Sequence, residues 1–127
     1  MLFRSYSGYS SVQGMRVNGQ LTLGENIADL AGLTVAQAAY HLSLKGKPAP
    51  VLDGFTGDQR LFLGYAQVWR YKAREETARQ RILTDPHSPP EFRVNGAVRN
   101  VDAWYAAMDV KQGEKLFLAP GERVRLW

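Results

Sequence analysis

Val17-Asn18-Gly19-Gln20-Leu21-Thr22-Leu23-Gly24-Glu25-Asn26-Ile27-Ala28-Asp29 is the stretch on which the reading of this chain turns. Asn18-Gly19 is a turn dipeptide. Thr22 and Glu25 have the spacing of a capping box, in which a hydroxyl and a carboxylate satisfy backbone amides at a helix start. Beyond them Ile27, Leu30, Ala31, Thr34, Ala38 and Leu42 recur at helical spacing and predict one packed stripe. Gly46, followed by Pro48 and Pro50, ends this helix. Glu25 and Asp29 are four residues apart, so a helix places them on one face. Two stacked carboxylates repel, and a cation beside them removes that cost. Acids are also favoured in a first helical turn without any ligand. The spacing alone leaves a metal ligand with a supporting carboxylate and a plain helix-start pair both open.

Outward from this segment the pattern stays helical. Thr56-Gly57-Asp58-Gln59 is a second capping box, and it predicts one long helix reaching Asp85-Pro86. Leu61, Phe62, Tyr65, Val68 and Trp69 form its expected buried stripe. Its second half is charged, with Glu75 and Arg79 in the favourable i,i+4 order. Residues 1–19, rich in Gly, Ser and Tyr, read as an irregular lead-in. Residues 85–93 read as a Pro-punctuated loop, and 94–99 as a short extended piece around Asn95-Gly96. A third, short helix is expected over 101–108 with Asn100 as its cap, followed by an irregular tail to Trp127.

His87-Ser88-Pro89-Pro90-Glu91-Phe92-Arg93 is the second segment with chemical content. A histidine in a proline-stiffened loop has a defined direction, and a nearby arginine can converge with it on an oxyanion or a substrate carbonyl. Both can equally cap the preceding helix end. His41, beside Tyr40 and Leu42 on the first helix, reads as packing or surface. Trp69, Tyr71 and Arg74 interleave aromatic and basic residues, and their spacing fits a core stripe beside a solvated one better than a nucleic-acid face.

The chain has 127 residues, 45% hydrophobic and 22% charged, which suits one compact unit. Its formal charge of +4 is read as basic residues on solvated helix faces, since the charges alternate in sign along the helix, and no nucleic-acid partner is assigned. It has no cysteine, which excludes disulfides and thiolate metal sites. No apolar run approaches the roughly 20 residues that cross a bilayer. Residues 1–11 lack a signal-peptide core, and no compartment is assigned.

The landmarks gain specificity together. The segment from Val17 to Asp29 resembles the ENIAD segment of the neprilysin family of zinc metallopeptidases, with its lead-in. Residues 87–93 resemble that family's HSPxxFR segment, and Arg125-Leu126-Trp127 resembles its C-terminal end. The resemblance implies the mainly α, C-terminal helical part of a thermolysin-like (zincin) catalytic domain, occupying residues 1–127. It implies two long helices, a short third one and long ordered loops. It also implies hydrolysis of peptide substrates with zinc as cofactor. Glu25 is then the third zinc ligand, and Asp29 the carboxylate that holds a zinc-binding histidine. His87 stabilises the tetrahedral intermediate, and Arg93 binds a substrate carbonyl. Val110 and Val124 stand where secreted animal members carry cysteines.

The family's HExxH motif, which supplies two histidine ligands and the general base, is absent: the only histidines are His41 and His87. The chain alone is therefore expected neither to bind zinc tightly nor to cleave peptides. Its apolar helix faces are expected to be covered by the remainder of the enzyme, on the N-terminal side, or by self-association. The competing reading is a non-catalytic helical module from a truncated gene that binds a protein or an anion.

Overall fold

The computed structural model describes residues 2–126. Among these, six α-helices form: α1 (Leu2–Ser7), α2 (Leu23–Ser43), α3 (Gly57–Val68), α4 (Glu75–Thr84), α5 (Pro90–Val98) and α6 (Asp102–Met108). Among the described residues, pairing between extended segments is confined to two isolated bridges, Ser10 with Arg16 and Leu52 with Phe55. The mainly α expectation holds. Among the described residues no helix is long and apolar enough to cross a membrane. The terminal Trp127 lies outside the described residues.

α2 begins and ends where its sequence says, but for a different local reason at its start. Thr22 makes no side-chain cap hydrogen bond. Its hydroxyl instead donates to the Asn18 carbonyl at 3.1 Å and accepts from Asn26 Nδ2 at 3.0 Å. The Glu25 carboxylate is thus not spent on the helix start. The buried face is also rotated from the expected stripe. It carries Asn26, Asp29, Leu30 and Leu33, while Ile27 and Leu42 are exposed. A polar pair heads the packed face, and that pair faces the site described below.

The capping box at Thr56 forms as read, with Gln59 Oε1 accepting from the Thr56 amide and Thr56 Oγ1 from the Gln59 amide. The single long helix does not. It divides into α3 and α4 across residues 69–74, a stretch with neither Gly nor Pro. Tertiary contacts override local propensity there. The Trp69 ring turns beneath Arg93, and Tyr71 accepts a hydrogen bond from Arg81 at 3.1 Å. Val68, expected in the core, is exposed. The Glu75–Arg79 pair forms at 3.2 Å on the surface. His41 Nε2 lies 2.7 Å from Asp58 Oδ1, tying the end of α2 to the start of α3.

Two further expectations fail. The lead-in contains α1, because Leu2 and Tyr6 bury one face against Val17 and Phe92. Residues 94–99 are not extended but lie mostly in α5, which opens on Pro90 at its first position, where the missing N–H costs nothing. Asn95-Gly96 makes no turn. Gly96 is instead where the Tyr6 ring meets the α5 backbone, and a Cβ there would collide with that ring.

The main core joins Leu30 and Leu33 of α2, Phe62 of α3, Val98 of α5 and Val101, Trp104 and Tyr105 at α6. Each such side chain contributes on the order of 1.5–3 kcal/mol of burial. Val101, not Asn100, is the N-cap of α6. Asn100 serves the tail instead, donating to the Gly96 carbonyl at 2.7 Å and accepting from the Val124 amide at 2.8 Å. Arg123 stacks on Tyr105, 3.5 Å from its ring centre, so an irregular tail is held by side chains.

Candidate active site

α2 and the segment entering α5 meet at a polar seam. Ser88 Oγ donates to Asn26 Oδ1 at 2.8 Å, and Asn26 Nδ2 donates to Thr22 Oγ1. Asn26 is fully buried and Ser88 is 3% exposed. Buried polar groups are strongly costly when unpaired, so this relay fixes the register between the two elements.

The seam brings together all four residues singled out in the sequence. Arg93 donates from Nε to Asp29 Oδ2 and from Nη2 to Asp29 Oδ1, each at 2.7 Å. The two side chains are only 12% and 8% exposed. Glu25 Oε2 lies 3.7 Å from Arg93 Nη2 and 3.2 Å from His87 Nε2. Its side chain is 41% exposed, so the carboxylate faces outward from the seam.

His87 is oriented by a residue the sequence reading did not single out. Asp85 Oδ1 accepts from the His87 backbone N–H at 2.9 Å and meets ring Nδ1 at 2.6 Å. The backbone bond, then the ring bond, hold the Asp85 carboxyl below the usual carboxylate range. With Nδ1 turned to Asp85, Nε2 is the nitrogen presented to Glu25. The signal was available: an Asp two residues before the His, at an Asp-Pro step, is an Asx-turn pattern.

Arg93 has further support from α3. Its guanidinium carbon lies 3.8 Å from the centre of the Trp69 ring. Tyr65 donates its hydroxyl to the Arg93 carbonyl at 3.0 Å. Partial burial works against the Arg93 charge, but the Asp29 hydrogen bonds and charge more than offset it, and its pKa is raised. Burial, followed by the Asp29 charge, also pushes the Tyr65 hydroxyl up. Trp69, Arg93, His87 and Asp85 border a cavity of about 420 Å³.

Zinc in catalytic sites takes three protein ligands and keeps one position open. Glu25 presents one outward-facing carboxylate, whose Oε2 meets His87 and Arg93, whereas Asp29 is closed over by Arg93. Among the described residues no group of three His, Cys, Asp or Glu side chains could hold a metal ion. The residues present can supply one ligand and do not by themselves make a zinc site.

A carboxylate, a histidine and an arginine thus converge on one edge of a helical layer, and comparison with known proteins gives the class. The model of peptidase family M13 matches residues 1–124, and the chain belongs to that family. It is 47% identical over 103 residues to endothelin-converting enzyme 1 of Mus musculus, covering 78% of this chain and 13% of that protein. It is 36% identical over 128 residues to neprilysin-3 of Drosophila melanogaster, covering 98% of this chain and 16% of that protein. Among solved structures, the zinc metalloprotease Zmp1 of Mycobacterium tuberculosis in its open state matches at a TM-score of 0.96 and 53% identity. That match covers 99% of this chain and 20% of that one. The same metalloprotease in complex with an inhibitor matches equally well. The chain thus spans only a small share of the length of the relatives it matches.

Proposed function

We propose that these residues form the substrate-facing edge of a zinc-dependent endopeptidase or oligopeptidase whose whole polypeptide is longer than this chain. The convergence of Glu25, His87 and Arg93, from two segments distant in sequence, is the observation that carries the reading. Bound zinc would polarise the peptide carbonyl under attack and acidify a water. Glu25 supplies one ligand position for it. Asp29 keeps Arg93 in place, and beyond that is assigned the support of a zinc-binding histidine from outside this chain. His87, steered by Asp85, gives its Nδ1–H to that carboxylate, and in the imidazolium form its Nε2–H donates to the carbonyl oxygen as charge builds there. Arg93 spends Nε and Nη2 on Asp29; Nη1 has no acceptor among the described residues and is free for a peptide backbone carbonyl. Ala28, Gly32 and Ala36 of α2, with Leu61 and Tyr65, line a shallow cavity of about 220 Å³ beside exposed Ile27 and Val35. We assign that apolar face to contact with the remainder of the enzyme.

The chain alone is proposed to be inactive. Zinc titration of the purified chain against a chelating dye should show no tight one-to-one site, and a quenched fluorescent peptide should stay intact. Supplying an upstream M13 segment with its HExxH helix should restore zinc binding and cleavage, and Glu25→Ala should abolish both. Tight stoichiometric zinc with cleavage by the chain alone would sink the proposal. Restored cleavage that survives Glu25→Ala would remove Glu25 from its role.

A further inference from the structure

α3 contributes none of the four site residues, yet one side chain within it and one at its C-cap hold Arg93. Tyr65 and Trp69 are four apart and share a helix face. The Tyr65 hydroxyl bonds the Arg93 carbonyl at 3.0 Å, fixing the backbone from which the arginine springs. The Trp69 ring lies 3.8 Å below the guanidinium carbon. Asp29 grips the guanidinium by one edge with two parallel hydrogen bonds. A planar group held by one edge can still tilt about that edge. A ring against its face removes the tilt, because the guanidinium gains from lying flat on the negative face of the indole.

The local backbone is arranged for this contact. Trp69 is the C-cap of α3 with φ −94° and ψ 4°, so the helix ends at this residue and its ring stands at the helix terminus, one turn beyond Tyr65. The break at 69–74 has no sequence signal of its own, and a tertiary demand at Trp69 accounts for it. Burial keeps the Tyr65 hydroxyl protonated and therefore a donor.

We propose that Trp69 and Tyr65 are positioning residues that give the free Nη1 of Arg93 a single direction toward substrate. This rests on the reading of Arg93 as a substrate-side donor. Neither residue need touch the reacting atoms.

The test uses the chain itself, labelled with ¹⁵N-arginine, and follows the Arg93 Nε–H resonance and its exchange with water. The parent should show an upfield ring-current shift and slow exchange. Trp69→Leu should lose that shift and speed exchange about fivefold, the scale of one partly desolvated cation–π contact. Trp69→Phe, which keeps an aromatic face, should recover part of the protection. An unchanged Arg93 shift and exchange rate in folded Trp69→Leu would overturn the proposal. Should that variant fail to fold, Tyr65→Phe removes a single oxygen, and unchanged exchange at Arg93 would overturn it equally.

A second arm separates this inference from the functional reading. In peptidase reassembled with an upstream M13 segment, Trp69→Leu should raise KM about fivefold with little change in kcat. If Arg93→Ala leaves KM unchanged, the substrate role of Arg93 fails even where the resonance data bear out the contact. If Arg93→Ala raises KM and Trp69→Leu does not, the positioning inference fails alone.

Discussion

The Asp29–Arg93 pair lends itself to a quantitative test, because both side chains are nearly closed to water and joined by two hydrogen bonds of 2.7 Å. Replacing Asp29 by Leu strands a guanidinium in a site built for a charge pair. Glu25, at 3.7 Å, offers partial compensation, so the expected loss is on the order of 3 kcal/mol, the low end for a broken buried pair. Arg93→Met strands the Asp29 carboxylate at a similar cost. The double variant Asp29→Leu/Arg93→Met leaves neither charge stranded. It should lose no more than about 3 kcal/mol, well short of the roughly 6 kcal/mol that independent effects would give. Urea unfolding followed by far-ultraviolet circular dichroism measures all four corners, provided the m-value is unchanged. The surface pair Glu75–Arg79, with side chains 56% and 41% exposed, is the internal contrast, and its removal should cost at most about 0.5 kcal/mol. Single losses that add to the double loss within about 0.5 kcal/mol would refute the argument, since the two charges would then not depend on each other.

Two further outcomes follow from named groups. The Tyr6 hydroxyl is completely buried with no hydrogen-bond partner among the described residues, so Tyr6→Phe should stabilise the chain by about 1 kcal/mol in the same urea assay; a loss of that size would show that the hydroxyl is satisfied. The Arg123 hydrogen bond, aided by the Arg125 charge, holds Asp102 below its ordinary carboxylate value near 4. Its contribution is therefore complete above about pH 4 and fades as pH falls through the depressed folded value, so Asp102→Asn should flatten the acid limb of the stability profile below pH 4. An unchanged limb would remove Asp102 from the acid response.

Much of the frame was legible because it is written in local chemistry. The ends of α2, the box at Thr56 and the Glu75–Arg79 pair each depend on residues within a turn of one another, and each formed where read. α1 was not legible, because its reason to be helical is the burial of Leu2 and Tyr6 under residues far away in sequence. The rotation of the buried face of α2 escaped for a related cause. Asn26 is fully buried, and hydrophobic periodicity has no means of placing a polar residue at the head of a core face. Its partner, Ser88, lies across the seam.

The candidate site shows the same division within one residue's surroundings. Glu25, Asp29, His87 and Arg93 could be picked out by type and segment, but the groups that set their geometry could not. Asp85 was the exception that a local turn rule could have found. The two largest departures from local expectation, the break after α3 and the helix that replaces an expected extended piece at 94–99, both border Arg93. α5 carries Arg93 on a rigid helix rather than a loop, and the break begins at Trp69, whose ring lies beneath it. Local rules give way where several elements must be satisfied at once, and such places gather at functional sites. Here the conflict has a single beneficiary. An arginine held by a carboxylate from α2, an indole at the end of α3 and a phenol within it keeps one nitrogen without an acceptor among the described residues, and that nitrogen needs a direction only if something outside them is to meet it.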